Sequence, residues 1–306
     1  VIKMNMYQKR KERKDKRENN SEVKDLSSTS INWYPGHMVK AKREIKEKLD
    51  LIDMVFEVVD SRIPYSSKNK DIDELVKGKP RVLIMTKKDL CDIEKTNKWV
   101  AYYENKGYLV ITVDLINNPN IQIIFDKISP IINEINNKRI KKGLKPRRAR
   151  VLVVGVPNAG KSTLINRLVG KKSTNVGNRP GVTKNLEWIR INDKLELLDT
   201  PGILWPKLDD EEVAHNLASM TAIKEEVLDS EDIAIYIINK MLKDYKDNLI
   251  TRYNITETED IVAILDQIGK KIGAFRGGET DYDRVYLKVI KDLQDGYLGR
   301  VTFDNM

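Results

Sequence analysis

A short apolar run, RVLVV at 150–154, leads directly into GVPNAGKST, Gly155 to Thr163, and that loop leads into the helix-like stretch STLINRLV. A strand, a glycine loop and a helix in this order leave few architectures open. The spacing G-x-x-x-x-G-K-[ST] builds a loop whose backbone N–H groups, with those opening the next helix, point at an anion. Gly155 and Gly160 let the chain pass close to phosphates, and Asn158, Ala159 and Thr163 complete the cradle. Lys161 brings positive charge to the β- and γ-phosphates, which makes it a candidate catalytic cation. The Ser162 hydroxyl is a candidate Mg²⁺ ligand. A plain glycine turn between strand and helix is the alternative.

The rest of the chain agrees with a sheet around that loop. Runs rich in Val, Ile and Leu recur at 54–60, 81–86, 108–113, 186–191 and 195–199. The early ones are separated by helix-like segments, which predicts an α/β fold with a mostly parallel sheet covered on both faces. Beyond residue 206 the strand signals stop. Helical spacing follows at 211–228, 231–245, 258–272 and 281–295, with Thr256 and Glu259 placed as a capping box and Gly296 as the end of the last helix. The expected organisation is a charged tail over 1–30, a nucleotide-binding domain over 31–205 and an all-α domain over 206–306. Within the tail the stretch KRKERKDKRENN mixes both charge signs and lacks aliphatic residues, which predicts a disordered extension, with a basic arm touching nucleic acid as the alternative. It has no apolar core of a secretory signal, and its acids argue against a transit peptide.

Composition narrows the chemistry further. The 306 residues carry a net charge of +9, with 33% charged and 40% hydrophobic residues, enough apolar material for a core. No run approaches a membrane span. The one cysteine, Cys91, rules out an intrachain disulfide and an all-cysteine metal site and fits a reducing compartment. With only His37 and His215, a multi-histidine metal site is not expected either.

Other motifs turn the phosphate loop into a guanine-nucleotide site. DTPG, Asp199 to Gly202, closes an apolar strand about forty residues after Lys161. A strand-end carboxylate there can hold Mg²⁺ through water, and the Gly202 N–H can reach a γ-phosphate. Between them lies NRPGVTKN, whose Thr183 is the candidate switch threonine closing on Mg²⁺ and the γ-phosphate. TKKD, Thr86 to Asp89, resembles the N-K-x-D signature that reads guanine. Asp89 can accept from guanine N1–H and the exocyclic amine together, Lys87 lies along the base plane, and Thr86 stands where the signature has Asn. Thr112 and Val113, in ITVDL, stand where a Ser-Ala loop usually lines the base. In Ras-like GTPases the base motif follows the phosphate loop; here it precedes it by about seventy residues. The parts are those of a GTPase in cyclically shifted order, which suits a compact domain whose termini lie close together.

NWYPGHMVKAKREI, DMVFEVVDSRIP, TKKD, GVPNAGKSTLINRL, the GVT segment, DTPGILWPK and FRGGETDYDRVYLKVIKDLQDGYLGR together resemble the circularly permuted GTPases of the RbgA (YlqF) family over 31–303. The resemblance implies a P-loop GTPase that binds GTP and GDP with Mg²⁺ and acts in assembly of the large ribosomal subunit. It also implies a helical domain that contacts rRNA. Ile203, directly after DTPG, cannot orient water as a glutamine does in Ras-like enzymes. The resemblance points instead to His37 of the P-G-H-M motif, with helix capping or an RNA contact as the alternative role. Some related GTPases use an asparagine at the position of Asn158 to help hold K⁺. Asp60 and Arg62, in DSRIP, read as a buried strand-end pair that positions the nearby loop. His215 reads as a surface or packing residue.

KRIKKGLKPRRAR, 138–150, holds eight basic residues and no acid. It is either a solvated linker or a phosphate-contacting surface. The helical region adds Lys270, Lys271, Arg276, Arg284, Lys288, Lys291 and Arg300 near Phe275, Tyr282 and Tyr286. No base-reading code is visible, so recognition of RNA by shape is expected, with neither DNA nor a membrane as partner, in a cytoplasmic monomer. Two other readings stay open at this stage: an RNA-binding factor that holds GTP with little turnover, and a P-loop kinase. Replacing Lys161 with Ala is expected to abolish nucleotide binding in a titration with a fluorescent guanine nucleotide; retained binding would place the site elsewhere.

Overall fold

The computed structural model describes residues 31–32, 36–117, 119–170, 187–202, 207–208, 210–220 and 229–306. The tail over 1–30 and Thr183 lie outside the described residues, as do the side chains of His37 and its neighbours through Val39. The chain divides into two compact units. One comprises Trp33–Lys207 and Arg300–Met306; the other is built on Leu208–Gly299.

The first unit is a six-stranded sheet. Its strands are β1 (Met54–Asp60), β2 (Arg81–Thr86), β3 (Leu109–Thr112), β4 (Ala149–Gly155), β5 (Glu187–Arg190) and β6 (Leu195–Asp199), in the order β3-β2-β1-β4-β6-β5. Every pairing is parallel except β5 with β6. The strands that lack a polar alternation sit at the centre, where both faces are covered: every residue of β1 is buried. Helices α1 (Gly36–Lys48), α2 (Lys70–Leu75), α3 (Ile93–Asn105), α4 (Gln122–Lys141) and α5 (Lys161–Val169) belong to this unit. Ile45 of α1 and Ile72 of α2 pack with Val55, Leu152, Val154 and Leu198. Trp99 and Tyr103 of α3 pack with Val59, Leu83, Met85 and Val110. Residues two apart share a face of a strand, so Val55 and Val59 put both clusters on one side of β1 with Glu57 between them. Glu57 is fully buried, and desolvation pushes its carboxyl up to about 7 although Lys68 lies 3.6 Å away.

The expected helical domain ended at residue 306. Residues 300–306 instead belong to the sheet unit, because their amides find carbonyls there: Val301 N–H donates to Leu90 O at 3.0 Å and Phe303 N–H to Arg62 O at 2.8 Å. Phe303 is fully buried. Ile31 and Asn32, expected in the nucleotide domain, group with the other unit.

That second unit contains α6 (Glu211–Ser219), α7 (Ser230–Asp244), α8 (Lys246–Tyr253), α9 (Ile261–Ile272) and α10 (Tyr282–Gln294). Its described residues also form a small hairpin, β7 (Phe275–Arg276) with β8 (Glu279–Thr280). An aspartate side chain caps four of the helices: Asp210, Asp229, Asp260 and Asp281 each accept from a first-turn N–H. The capping box expected from Thr256 and Glu259 does not form. Asp260 takes the cap, four residues after Thr256, and Thr256 donates to the Gln267 side chain. Periodicity misses α8, because only Leu249 and Tyr253 of its eight residues are buried. Gly296 does follow the last helix, with φ +80° and its N–H on Leu293 O.

One buried carboxylate ties this unit together. Asp292 of α10 is fully buried and accepts from Tyr253 Oη and Arg252 Nε of α8, each at 2.9 Å, while Lys288 Nζ lies 2.8 Å away. Burial works against its charge, but these partners outweigh it and hold the carboxyl below its ordinary range. Replacing Asp292 with Ala leaves a buried hydroxyl and two cations without their acceptor. The expected loss is about 3 kcal/mol, read as an earlier urea transition of the helical signal.

Candidate functional site

The carboxyl ends of β1, β2, β4 and β6 lie side by side and present Asp60, Thr86, Gly155 and Asp199 at one edge of the sheet. This is the edge where open parallel sheets bind ligands. Val58 is in register with Gly155, and Val153 with Asp199. Gly155 is required by crowding: a Cβ there would lie 2.3 Å from Val58 O. The loop turns through Asn158, which holds a left-handed φ of +58°, to Gly160 at +94°, and α5 begins at Lys161 with no side-chain cap. Its opening N–H groups are therefore the kind that receive an anion. Ser162 and Thr163 are half-buried in its first turn, and Ala159 is buried.

Lys161 Nζ folds back onto the loop and donates to Gly155 O and Val156 O, each at 3.0 Å. Desolvation lowers its pKa to about 8, opposed only by the nearby Asp199 carboxylate. DTPG is packed onto the same loop. Thr200 Oγ1 donates to Val153 O at 2.7 Å, and a Cβ on Gly202 would come within 2.9 Å of the Pro157 backbone. Asp199 is buried at the end of β6.

The base motif meets the phosphate loop through Thr86. Its hydroxyl faces two carbonyls, Ala159 O in the loop at 2.6 Å and Val59 O at 3.1 Å. Lys87 takes a left-handed φ of +57° and donates from Nζ to Asp60 Oδ2 at 2.8 Å. Arg62 grips the same carboxylate from Nε at 3.0 Å and Nη2 at 2.8 Å. Burial disfavours the Asp60 charge, but Arg62 and then Lys87 override it and hold the carboxyl far below its usual range. The pair that DSRIP suggested thus positions Lys87 directly. Val113 N–H donates to Met85 O at 2.8 Å and Lys88 N–H to Val113 O at 3.3 Å, so ITVDL and TKKD are joined. A cleft of about 650 Å³ opens there, walled by Lys88, Asp89, Thr112, Val113, Asp114, Asn117 and Arg300 among others.

The described sequence-derived candidates therefore converge on one edge: Lys161, Ser162 and Asp199 at the phosphate end, Asp89, Thr112 and Val113 at the cleft, and Lys87 in the same loop as Asp89 but turned to Asp60. Thr183 lies outside the described residues. His37 is placed only by its backbone, in the first turn of α1. His215 sits on α6, its Nδ1 2.8 Å from Glu211 O and its ring stacked on Tyr236, which makes it a packing residue. Sequence reasoning missed three neighbours. Asn117 donates to Asp89 Oδ2 at 3.0 Å, and its own N–H is held by Asp114 Oδ1 in an Asx-type turn that the D-x-x-N spacing signals. Arg167 of α5 donates to Leu115 O at 2.8 Å. Arg300 lines the cleft, and no local signal connects it to Asp89.

Comparison with known proteins follows the same outline. A family model described as a 50S ribosome-binding GTPase matches residues 150–271, starting at the strand that feeds the phosphate loop. Ribosome biogenesis GTPase A of Bacillus cereus is 44% identical over 276 residues, which cover 90% of this chain and 93% of that protein. The protein of the same name from Thermotoga maritima is 31% identical over 275 residues, 90% of this chain and 94% of that one. The structure of GNP-bound YlqF from T. maritima superposes with a TM-score of 0.62 at 28% identity, covering 87% of this chain and 98% of its own.

The depressed Lys161 pKa has a measurable consequence. Between pH 8 and the ordinary 10.5, the unfolded chain keeps this proton and the folded one has released it. A phosphate beside Nζ restores the charge, so GDP binding is expected to take up a proton above about pH 8. Affinity then falls by up to about tenfold per pH unit. Calorimetric titration at pH 8.5 in two buffers of unlike ionisation enthalpy reads the uptake directly; identical enthalpies would refute it.

Proposed function

The chain belongs to the ribosome biogenesis GTPase A family and hydrolyses GTP, and from that premise we propose that it is a nucleotide-dependent switch in assembly of the large ribosomal subunit. The observation that carries the site assignment is the Thr86 bond to Ala159 O, which fixes the base motif against the phosphate loop despite their inverted order. Asp89 accepts from guanine N1–H and the exocyclic amine. Lys87 lies along the base plane, held by Asp60, and the Thr112–Val113 segment lines the base. Asn158 to Thr163 surround the phosphates, with Lys161 leaving its two carbonyls for the β- and γ-oxygens.

The residues fit a hard cation. Ser162 offers a hydroxyl and Asp199 a buried carboxylate on neighbouring elements, oxygen donors of the kind Mg²⁺ takes alongside phosphates. Thr183 would join them from the switch segment. Mg²⁺ bound there neutralises charge on the phosphate oxygens. Exposed Asn158, at the turn of the loop, is the side chain assigned to K⁺ beside the phosphates. Gly202 N–H senses the γ-phosphate from its place against Pro157, and His37 orients the attacking water.

The partner is the large subunit, met through rRNA backbone and shape. The 138–150 stretch is less available than its charge suggests. Arg147 pairs with Asp53, Arg148 with Asp193, Arg150 with Glu196 and Lys138 with Glu134, while Arg139 donates to Lys145 O. Lys141, Lys142 and Lys145 remain exposed. In the helical unit Tyr282 and Tyr286 are buried and cannot stack on bases, and Lys288 serves Asp292. Phe275 is half exposed on the hairpin with Arg276, close in sequence to Lys270 and Lys271. These are the surfaces assigned to RNA. No described helix is long and apolar enough to cross a membrane. A monomer acting in the cytoplasm, without DNA, completes the proposal.

GTP turnover in K⁺ buffer is expected to rise with purified large subunits and not with small ones. Equal response to both would overturn the large-subunit assignment. His37→Ala should slow hydrolysis about a hundredfold while leaving GTP affinity intact; normal turnover would remove His37 from the mechanism.

A further inference from the structure

We propose that residues 300–304 are a working part of the base pocket: Arg300 contacts the guanine of the bound nucleotide, and the segment behind it positions the two loops that present Lys87 and Asp89. This rests on the reading of the cleft beside Asp89 as the base site.

Arg300 forms part of the cleft wall with Lys88, Asp89 and Thr112. Its side chain is exposed and makes no hydrogen bond or ion pair among the described residues. The residues after it are fixed on both sides. Val301 N–H donates to the carbonyl of Leu90, the neighbour of Asp89, and Phe303 N–H to the carbonyl of Arg62, whose guanidinium grips Asp60 and through it Lys87. The Asp304 carboxylate then accepts from Tyr65 N–H at 2.6 Å, Ser66 N–H at 2.9 Å and the Ser66 hydroxyl. Trp99 Nε1–H donates to Asp304 O at 3.3 Å. A cation at the cleft wall is thus mounted on a pinned segment.

The base site has use for such a group. The N-K-x-D signature has an amide side chain where this chain has Thr86, and the Thr86 hydroxyl is directed at Ala159 O and Val59 O. A planar, permanently charged guanidinium can stack on a purine or donate to guanine O6 and N7. Arg300 supplies that polar arm from outside the motif, and Asp304 acts as a positioning residue behind it.

The test titrates the full chain and its Arg300→Ala, Arg300→Lys and Asp304→Ala variants with a fluorescent GDP analogue, with pyrophosphate as a competitor and thermal unfolding alongside. Arg300→Ala is expected to weaken GDP about tenfold, to leave pyrophosphate competition and the melting temperature unchanged, and to be partly rescued by Lys. Asp304→Ala is expected to speed GDP release. Parent-like GDP affinity in Arg300→Ala, or equal losses for GDP and pyrophosphate, overturns the proposal. Asp89→Asn, assayed with xanthosine diphosphate, separates the layers. A switch to xanthine with parent-like Arg300→Ala sinks the Arg300 role alone, and no switch sinks the pocket assignment together with it.

Discussion

The Asp60 carboxylate is the constraint on which the site is built. It ends the most buried strand of the sheet, where a lone charge would cost several kcal/mol. Arg62, two residues on, neutralises it in a tight loop, and Lys87 reaches it from the neighbouring strand. The triad carries a residual positive charge at the base end of the sheet edge. It also settles where Lys87 can point, since a left-handed backbone alone would leave a long side chain free. Burial of this kind is weak evidence for stability but good evidence for fixed geometry, because each group can satisfy its charge in only one arrangement.

A parallel sheet explains why the inverted motif order does not matter to the chemistry. Crossover connections return each strand in the same direction, so loops far apart in sequence emerge along one edge. β1 sits between β2 and β4 and pairs with both. The base loop and the phosphate loop are thereby separated by one strand in space, and Thr86 spans the gap. What the shifted order does change is the neighbour along the chain. The strand ending in Asp199 now comes directly before the helical unit in the sequence, so DTPG is its covalent neighbour.

The legible parts of the sequence are those whose signal is local. All six strands of the sheet show as apolar runs, and the phosphate loop, DTPG and TKKD show as residue types at fixed spacing. Most of the helical unit shows through its period, as with Ile233, Ile237 and Met241 on α7. The parts that escape depend on distant partners. Arg300 carries no mark of the cleft it lines, because the contact joins segments far apart in the chain. Charge counting over 138–150 overstates the free cations, because Asp53, Asp193 and Glu196 come from other elements. Tyr282 and Tyr286 look available beside lysines until the helix places their face inward. Asp260 displaces the Thr256–Glu259 box since a carboxylate directly before the first apolar residue caps at no cost in length.

The sheet unit is discontinuous: its main body closes at Lys207, and it resumes only at Arg300. Domains fold as units while the chain is being made, at about 5–20 residues per second, so Leu208–Gly299 takes roughly 5–20 s to pass. During that interval the phosphate loop and TKKD have both been made, while the segment that walls the cleft beside Asp89 has not. A newly made molecule therefore spends its first seconds without the segment that completes the wall of this cleft.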